Sequence, residues 1–164
     1  MIFVTVGTEQ FPFDRLLRIM DNAVRGGEIR QDVFAQIGTA RYEPASFSWC
    51  RFLPYAEMAE RIRRADIVVS HAGVGSFLMC LEMGKMPILF PRRVEYKEHV
   101  DDHQMEFMER IVYEGKLLWA RDERELLNHI RNFPEIVQRF EERKILPRGK
   151  SLAEYLKRVV EGRA

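Results

Sequence analysis

Residues 65–83 constrain the fold more than any other stretch of the chain. They read Ala65-Asp66-Ile67-Val68-Val69-Ser70-His71-Ala72-Gly73-Val74-Gly75-Ser76, followed by an apolar run at 77–83. A short β-branched run makes a buried strand, and the small residues then turn the chain into a helix-forming segment. Strand, tight turn and helix in that order belong to a βα unit. Gly73 and Gly75 let the backbone approach a ligand closely, and Ser76 is placed to cap the new helix. A helix N-terminus presents free N–H groups, which suit a phosphate. His71 falls at the strand's C-terminal end, where open α/β sheets hold their chemistry.

The remaining sequence alternates in the same way. Spacing and turn residues predict strands at 2–6, 32–37, 48–53, 66–70, 87–90 and 116–120. Helices are expected at 13–24, 56–65, 76–83, 103–113 and 121–133, the last capped by Asp122, and at 151–160 near the end. Short strands alternating with helices define an α/β fold, a Rossmann-like and mainly parallel sheet with helices on both faces. At 164 residues the chain is expected to form one domain, residues 1–164. A chain of this size buries roughly 70% of its unfolded surface and needs no covalent staples.

Charge and cysteine usage exclude several classes. Lys and Arg number 26 against 25 Asp and Glu, a net charge of +1. That balance disfavours a nucleic-acid partner. Cys50 and Cys80 have no metal-ligand spacing and make no disulfide framework, consistent with reduced thiols. No run approaches the ~18 consecutive apolar residues of a membrane span. The chain opens on a strand-like run rather than a basic and then apolar leader. The expectation is a cytoplasmic protein that reaches a membrane only through a partner or a surface helix.

Three loops fall at the C-terminal ends of predicted strands: residues 7–10, 71–76 and 91–104. In a doubly wound sheet such loops line one crevice. The third carries Arg92, Arg93, Lys97, Glu98, His99, Asp101, Asp102, His103 and Gln104. Its cations can neutralise phosphate, and Asp102 and Gln104 can hydrogen-bond vicinal hydroxyls of a sugar. Each feature also has a purely structural reading. His71 can serve as a hydrogen-bonder within the fold, and Gly7-Thr8, Gly73 and Gly75 can simply turn the chain. Arg92-Arg93 can be a solvated pair, and Asp102 a helix cap. His99, Asp101, Asp102 and His103 resemble a metal set but have no second cluster elsewhere, so no metal is expected.

Familiar signatures are missing. No Gly-x-Gly-x-x-Gly follows the first strand, no Gly-Lys-Ser/Thr phosphate loop occurs, and Gly73-Val74-Gly75-Ser76 is not a nucleophile elbow. A phosphate site here has to use backbone N–H groups, a helix dipole and side-chain cations, without a cofactor.

Several segments occur together in a telling order: Ile2-Phe3-Val4-Thr5-Val6-Gly7-Thr8, then Ser70-His71-Ala72-Gly73-Val74-Gly75-Ser76, then Gly84-Lys85-Met86-Pro87. Pro91-Arg92-Arg93 and Glu98-His99-Val100-Asp101-Asp102-His103-Gln104 complete the set. Together, up to about residue 119, they resemble the C-terminal domain of family 28 glycosyltransferases. They are most similar to the small subunit of two-part bacterial exopolysaccharide enzymes. They are similar also to the cytosolic subunit of the eukaryotic enzyme that adds the second N-acetylglucosamine to a dolichol-linked oligosaccharide.

The resemblance implies one half of a GT-B fold, binding a UDP-sugar, with a separate membrane-anchored subunit holding a lipid-linked sugar acceptor. By it, residues 71–76 meet the diphosphate, Asp102 and Gln104 face the donor sugar, and Gly7 and Thr8 lie toward the acceptor half. His71 would act as an electrophilic or phosphate-positioning group, with the general base supplied from the acceptor half or the interface. One departure stands out. Many family members carry a ribose-binding Glu six residues past Gly73, where this chain has Met79. A non-catalytic binding module for a membrane-bound partner is therefore the alternative. The 151–160 helix, with Leu152, Tyr155, Leu156 and Val159 on one side, either packs on its own domain or docks the partner.

Overall fold

The computed structural model describes residues 1–100 and 117–142. Its core is a six-stranded sheet made of β1 (Ile2–Thr5), β2 (Val33–Gln36), β3 (Ser48–Cys50), β4 (Ile67–Ser70), β5 (Ile88–Leu89) and β6 (Leu118–Trp119). The spatial order is β3-β2-β1-β4-β5-β6, and every neighbouring pair runs parallel. The expected α/β sheet is present, with the 48–53 strand cut to three residues before Pro54 opens the next helix.

Helices α1 (Asp14–Arg25), α2 (Tyr55–Arg64), α3 (Val74–Glu82), α4 (Glu123–Arg131) and α5 (Phe133–Glu142) flank the sheet. The period-2 alternation of β1 sorts them onto two faces. Ile2 and Val4 pack with Leu16, Leu17 and Met20 of α1, Leu126 and Ile130 of α4, and Phe133. Phe3 points the other way, toward Ile62 of α2 and Cys80 of α3. Because both faces are covered, β1 and β4 are buried along their whole lengths. Continuous apolar strands without polar alternation follow directly from this.

Asp122 caps α4 as expected, its Oδ1 accepting from the Glu125 N–H at 2.8 Å. Helix α5 was not anticipated from the sequence. Pro134 masks it, yet proline sits comfortably in a first helical turn, where its missing N–H is no loss. The predicted 103–113 and 151–160 helices, and residue 116 of the sixth strand, lie outside the described residues.

Asp21 shows how the sheet's edge is tied down. It is buried on α1 and accepts from the Tyr42 hydroxyl (2.6 Å) and the N–H groups of Ala45 (3.1 Å) and Ser46 (2.8 Å). One carboxylate thus fastens the loop that leads into β3.

Candidate functional site

In this strand order the chain reverses direction across the sheet between β1 and β4. The loops leaving those two strands therefore diverge and leave a crevice at their C-terminal ends. A cleft of about 660 Å³ lies there. Gly7, Thr8 and Glu9 line it from the loop after β1. His71, Gly73, Val74, Gly75, Ser76 and Met79 line it from the turn after β4 and from α3.

The turn itself is strained. Ala72 adopts φ 65°, the left-handed region that a side chain disfavours. This kink takes the chain from strand into helix over three residues, 71–73. The first intrahelical bond runs from the Phe77 N–H to the Gly73 carbonyl at 3.0 Å. Helix geometry then leaves the N–H groups of Val74, Gly75 and Ser76 directed out of the helix end. Ser76 does not cap, contrary to its sequence reading. The helix starts two residues earlier than expected, Gly73 holds the N-cap position, and no side chain caps it. The helix end is left open toward the cleft.

His71 is 8% exposed, and its own N–H donates to the Thr5 carbonyl at 3.2 Å. Its ring edge lies between two glycines. A Cβ on Gly7 would sit 2.5 Å from both Cε1 and Nε2, and a Cβ on Gly73 would overlap Nε2. Gly73 has an ordinary extended backbone, φ −69° and ψ 134°. It is glycine to make room for the imidazole, not to turn the chain as its sequence reading allowed. Gly7 has φ +79° and faces the same ring, so both conformation and space require it. Of the three glycines that line the cleft, Gly75 alone meets open space.

Burial first, and then the nearby charges of Arg92 and His99, push the His71 imidazole down to about 4. The ring is neutral at pH 7 and carries a single N–H. Nδ1 is buried and finds no partner. A bare lone pair costs less there than an unsatisfied N–H. That arrangement puts the proton on Nε2, between Gly7 and Gly73, where it can donate to a ligand in the cleft.

Gln36 is a site residue that the sequence reading missed. Its Nε2 donates to the Gly7 carbonyl (3.0 Å) and the Arg51 carbonyl (2.9 Å), and its Oε1 accepts from the Thr5 hydroxyl at 2.7 Å. The Gly7 peptide is therefore held from behind. A glutamine closing an otherwise apolar strand was the available signal. Leu53, Tyr55 and Met58, also missed, join Met79 in an apolar wall.

Arg92 is not placed as expected. It is absent from the cleft lining and 5% exposed; its Nη1 and Nη2 donate to three main-chain carbonyls, while its buried Nε finds no partner. Among the described residues no group of three or more His, Cys, Asp or Glu side chains can hold a metal. Asp102 and Gln104, with Asp101 and His103, lie outside the described residues.

A parallel sheet in this order, with an uncapped helix end at its switch point, is the architecture of Rossmann-like domains that hold phosphorylated ligands. Comparison with known proteins narrows the class. The glycosyltransferase family 28 C-terminal domain matches residues 1–155, and the chain belongs to that family. It is 32% identical over 128 residues to the UDP-N-acetylglucosamine transferase subunit ALG13 of Homo sapiens, covering 73% of this chain and 11% of that protein. Against the subunit of the same name in Yarrowia lipolytica it is 36% identical over 66 residues, 40% of this chain and 32% of that one. The chain thus spans about a tenth and about a third of these relatives. The crystal structure of the glycotransferase of kitacinnamycin superposes with a TM-score of 0.57 at 15% identity, over 96% of this chain and 42% of that one. The shared fold is that of one half of the larger molecule.

Proposed function

We propose that residues 1–164 form the donor-binding half of a two-part glycosyltransferase that takes a UDP-sugar. UDP-N-acetylglucosamine is the first donor to test, because the matched subunits are named for it. The acceptor is a lipid-linked sugar, held by a separate membrane-anchored subunit that brings this chain to the cytoplasmic membrane face. The product is an exopolysaccharide or another glycan assembled on a lipid carrier. Among the described residues no helix is long and apolar enough to cross a membrane, which fits an anchoring partner.

The observation that carries this reading is the pairing of neutral His71 with the open N-terminus of α3 in one cleft. When the sugar leaves the donor, negative charge develops on the diphosphate. Main-chain N–H groups of Val74, Gly75 and Ser76 and the Nε2–H of His71 stabilise that charge from fixed positions, without reorganisation. The helix dipole adds to the effect. Gly7 and Thr8 face the acceptor side, and the apolar wall of Leu53, Tyr55, Met58 and Met79 takes the uridine. Asp102 and Gln104 are proposed to face the donor sugar.

Met79 favours a second reading, a non-catalytic module that binds and supports a membrane partner. Calorimetric titration with UDP and with UDP-N-acetylglucosamine, alone and with the co-expressed partner, separates the two. Binding of UDP together with transfer by the reconstituted pair supports the enzyme. Absence of binding in both states sinks it and leaves the module.

A further inference from the structure

Arg92 stands just outside the cleft yet controls the backbone that forms it. Nη1 donates to the carbonyls of Phe11 (2.6 Å) and Glu98 (3.0 Å), and Nη2 donates to the carbonyl of Val6 (2.7 Å). Val6 and Phe11 bracket the turn that carries Gly7 and Thr8. A planar guanidinium reaches convergent carbonyls from a fixed fork, whereas an ammonium is a point donor on a flexible stem. The cation also lies 4.9 Å from the centroid of the Phe13 ring, at the entrance to α1.

A second ion supports the first. Glu98 is 4% exposed, and its carboxylate accepts from Arg15 Nε (2.9 Å), Arg15 Nη2 (2.8 Å) and the Arg93 N–H (2.9 Å). Arg15 Nη2 also donates to the Pro91 carbonyl at 2.7 Å. The fork therefore fixes the chain after β5, and with it the Glu98 carbonyl that Arg92 uses. Residues 6–13 form no regular element. Their shape depends on such cross-links, and a peptide group that loses its buried donor opens more readily.

We propose that Arg92 is a positioning residue. By clamping the Val6 and Phe11 carbonyls against the chain after β5, it holds the Gly7-Thr8 turn over the His71 ring and sets the width of the cleft. The Arg15–Glu98 fork is the outer support of the same brace. The clearance is narrow, since Gly7 already lies within the reach of a Cβ from the imidazole. A small shift of the turn changes what the cleft admits. This inference rests on the reading of the cleft as a UDP site.

The test compares the wild-type chain with R92K, R15M and D21N. D21N removes a buried hydrogen-bonded carboxylate remote from the cleft and controls for lost stability alone. Amide hydrogen exchange is measured first without ligand, then UDP is titrated by calorimetry. Relative to D21N, R92K is expected to speed exchange at residues 7–11 by ~10-fold or more and R15M by a smaller factor. R92K is also expected to weaken UDP binding by ~10-fold or more. Exchange in both arginine variants matching D21N overturns the brace. So does faster exchange with UDP affinity unchanged. No heat with UDP from the wild-type chain, either alone or with the co-expressed partner, refutes the proposed function instead, and the exchange measurement still decides the brace. Should R92K fail to fold, R15M decides, because Arg15 is partly exposed, 22% at its side chain.

Discussion

The imidazole of His71 fills the space that a side chain on Gly73 would need. Cδ2 and Cε1 of the ring each stand 3.0 Å from where that Cβ would be, and Nε2 stands closer still. The two residues are a matched pair, one large and one absent side chain, at the mouth of α3. Gly73→Ala is expected to destabilise the chain by about 1–3 kcal/mol through overpacking. In a His71→Ala background the same change is expected to cost much less, because the three atoms nearest that Cβ all belong to the ring. Thermal unfolding of the four proteins of that cycle measures the coupling, and additive effects would refute the pairing.

His71 also ties stability to pH. Its imidazole titrates near 4 when folded, against 6.5 for the ordinary side chain. Between those values the unfolded chain binds a proton that the folded chain refuses, so stability rises with pH across this window. The contribution is complete above about pH 6.5 and falls by ~1.4 kcal/mol per unit on acidification toward pH 4. His71→Gln is expected to flatten that part of the stability profile. An NMR titration placing the imidazole near its ordinary value would contradict the prediction.

In the reconstituted enzyme, His71→Ala is expected to lower transfer by roughly 10²-fold, the usual cost of one donor at a developing anion. UDP affinity should fall far less, since the α3 N–H groups remain. Turnover unchanged from wild type would remove His71 from the reaction.

Asp21 supplies a stability prediction separate from the cleft. Burial opposes its ionisation, but the Tyr42 hydroxyl and the N–H groups of Ser46 and Ala45 outweigh it and hold the carboxyl below its usual value. A depressed carboxylate contributes stability above the unfolded value, and this is lost as pH falls through the folded one. Asp21→Asn is expected to cost about 1–3 kcal/mol in chemical denaturation at neutral pH, with UDP binding retained. A loss of UDP affinity in a folded D21N would show that the β3 edge shapes the cleft.

Met79 lines the cleft, at the position where the resemblance implies a ribose-binding acid. Met79→Glu is expected to strengthen UDP binding by about tenfold or more, the worth of one hydrogen bond to a charged group. Affinity that falls in calorimetry would place the ribose elsewhere.

Much of this molecule is legible residue by residue. The β-branched run of β4 and the buried strand β1 mark their own burial, and the spacing of Leu16, Leu17 and Met20 marks the buried face of α1. The cleft's glycine turn and His71 are also visible, because a strand end and a helix start lie within a few residues of each other. Ser76 was misjudged for a local reason: the left-handed Ala72 lets the helix begin at Val74, so the serine falls inside the first turn. Met58 is not legible as a cleft residue, because a methionine on a helix says nothing by itself about the space in front of it; Gln36, a polar residue closing an apolar strand, marks a buried polar role without naming its partners.

What the chain determined unaided was its alternation of strands and helices and the small-residue turn at His71. Both depend on short-range periodicity and backbone sterics, which neighbouring residues control. Tertiary structure alone decided that the guanidinium of Arg92 meets the carbonyls of Val6 and Phe11. Those partners are more than eighty positions away along the chain. A guanidinium's role is set by which acceptors surround it, and that becomes fixed only when β1 and β5 take their places on either side of β4.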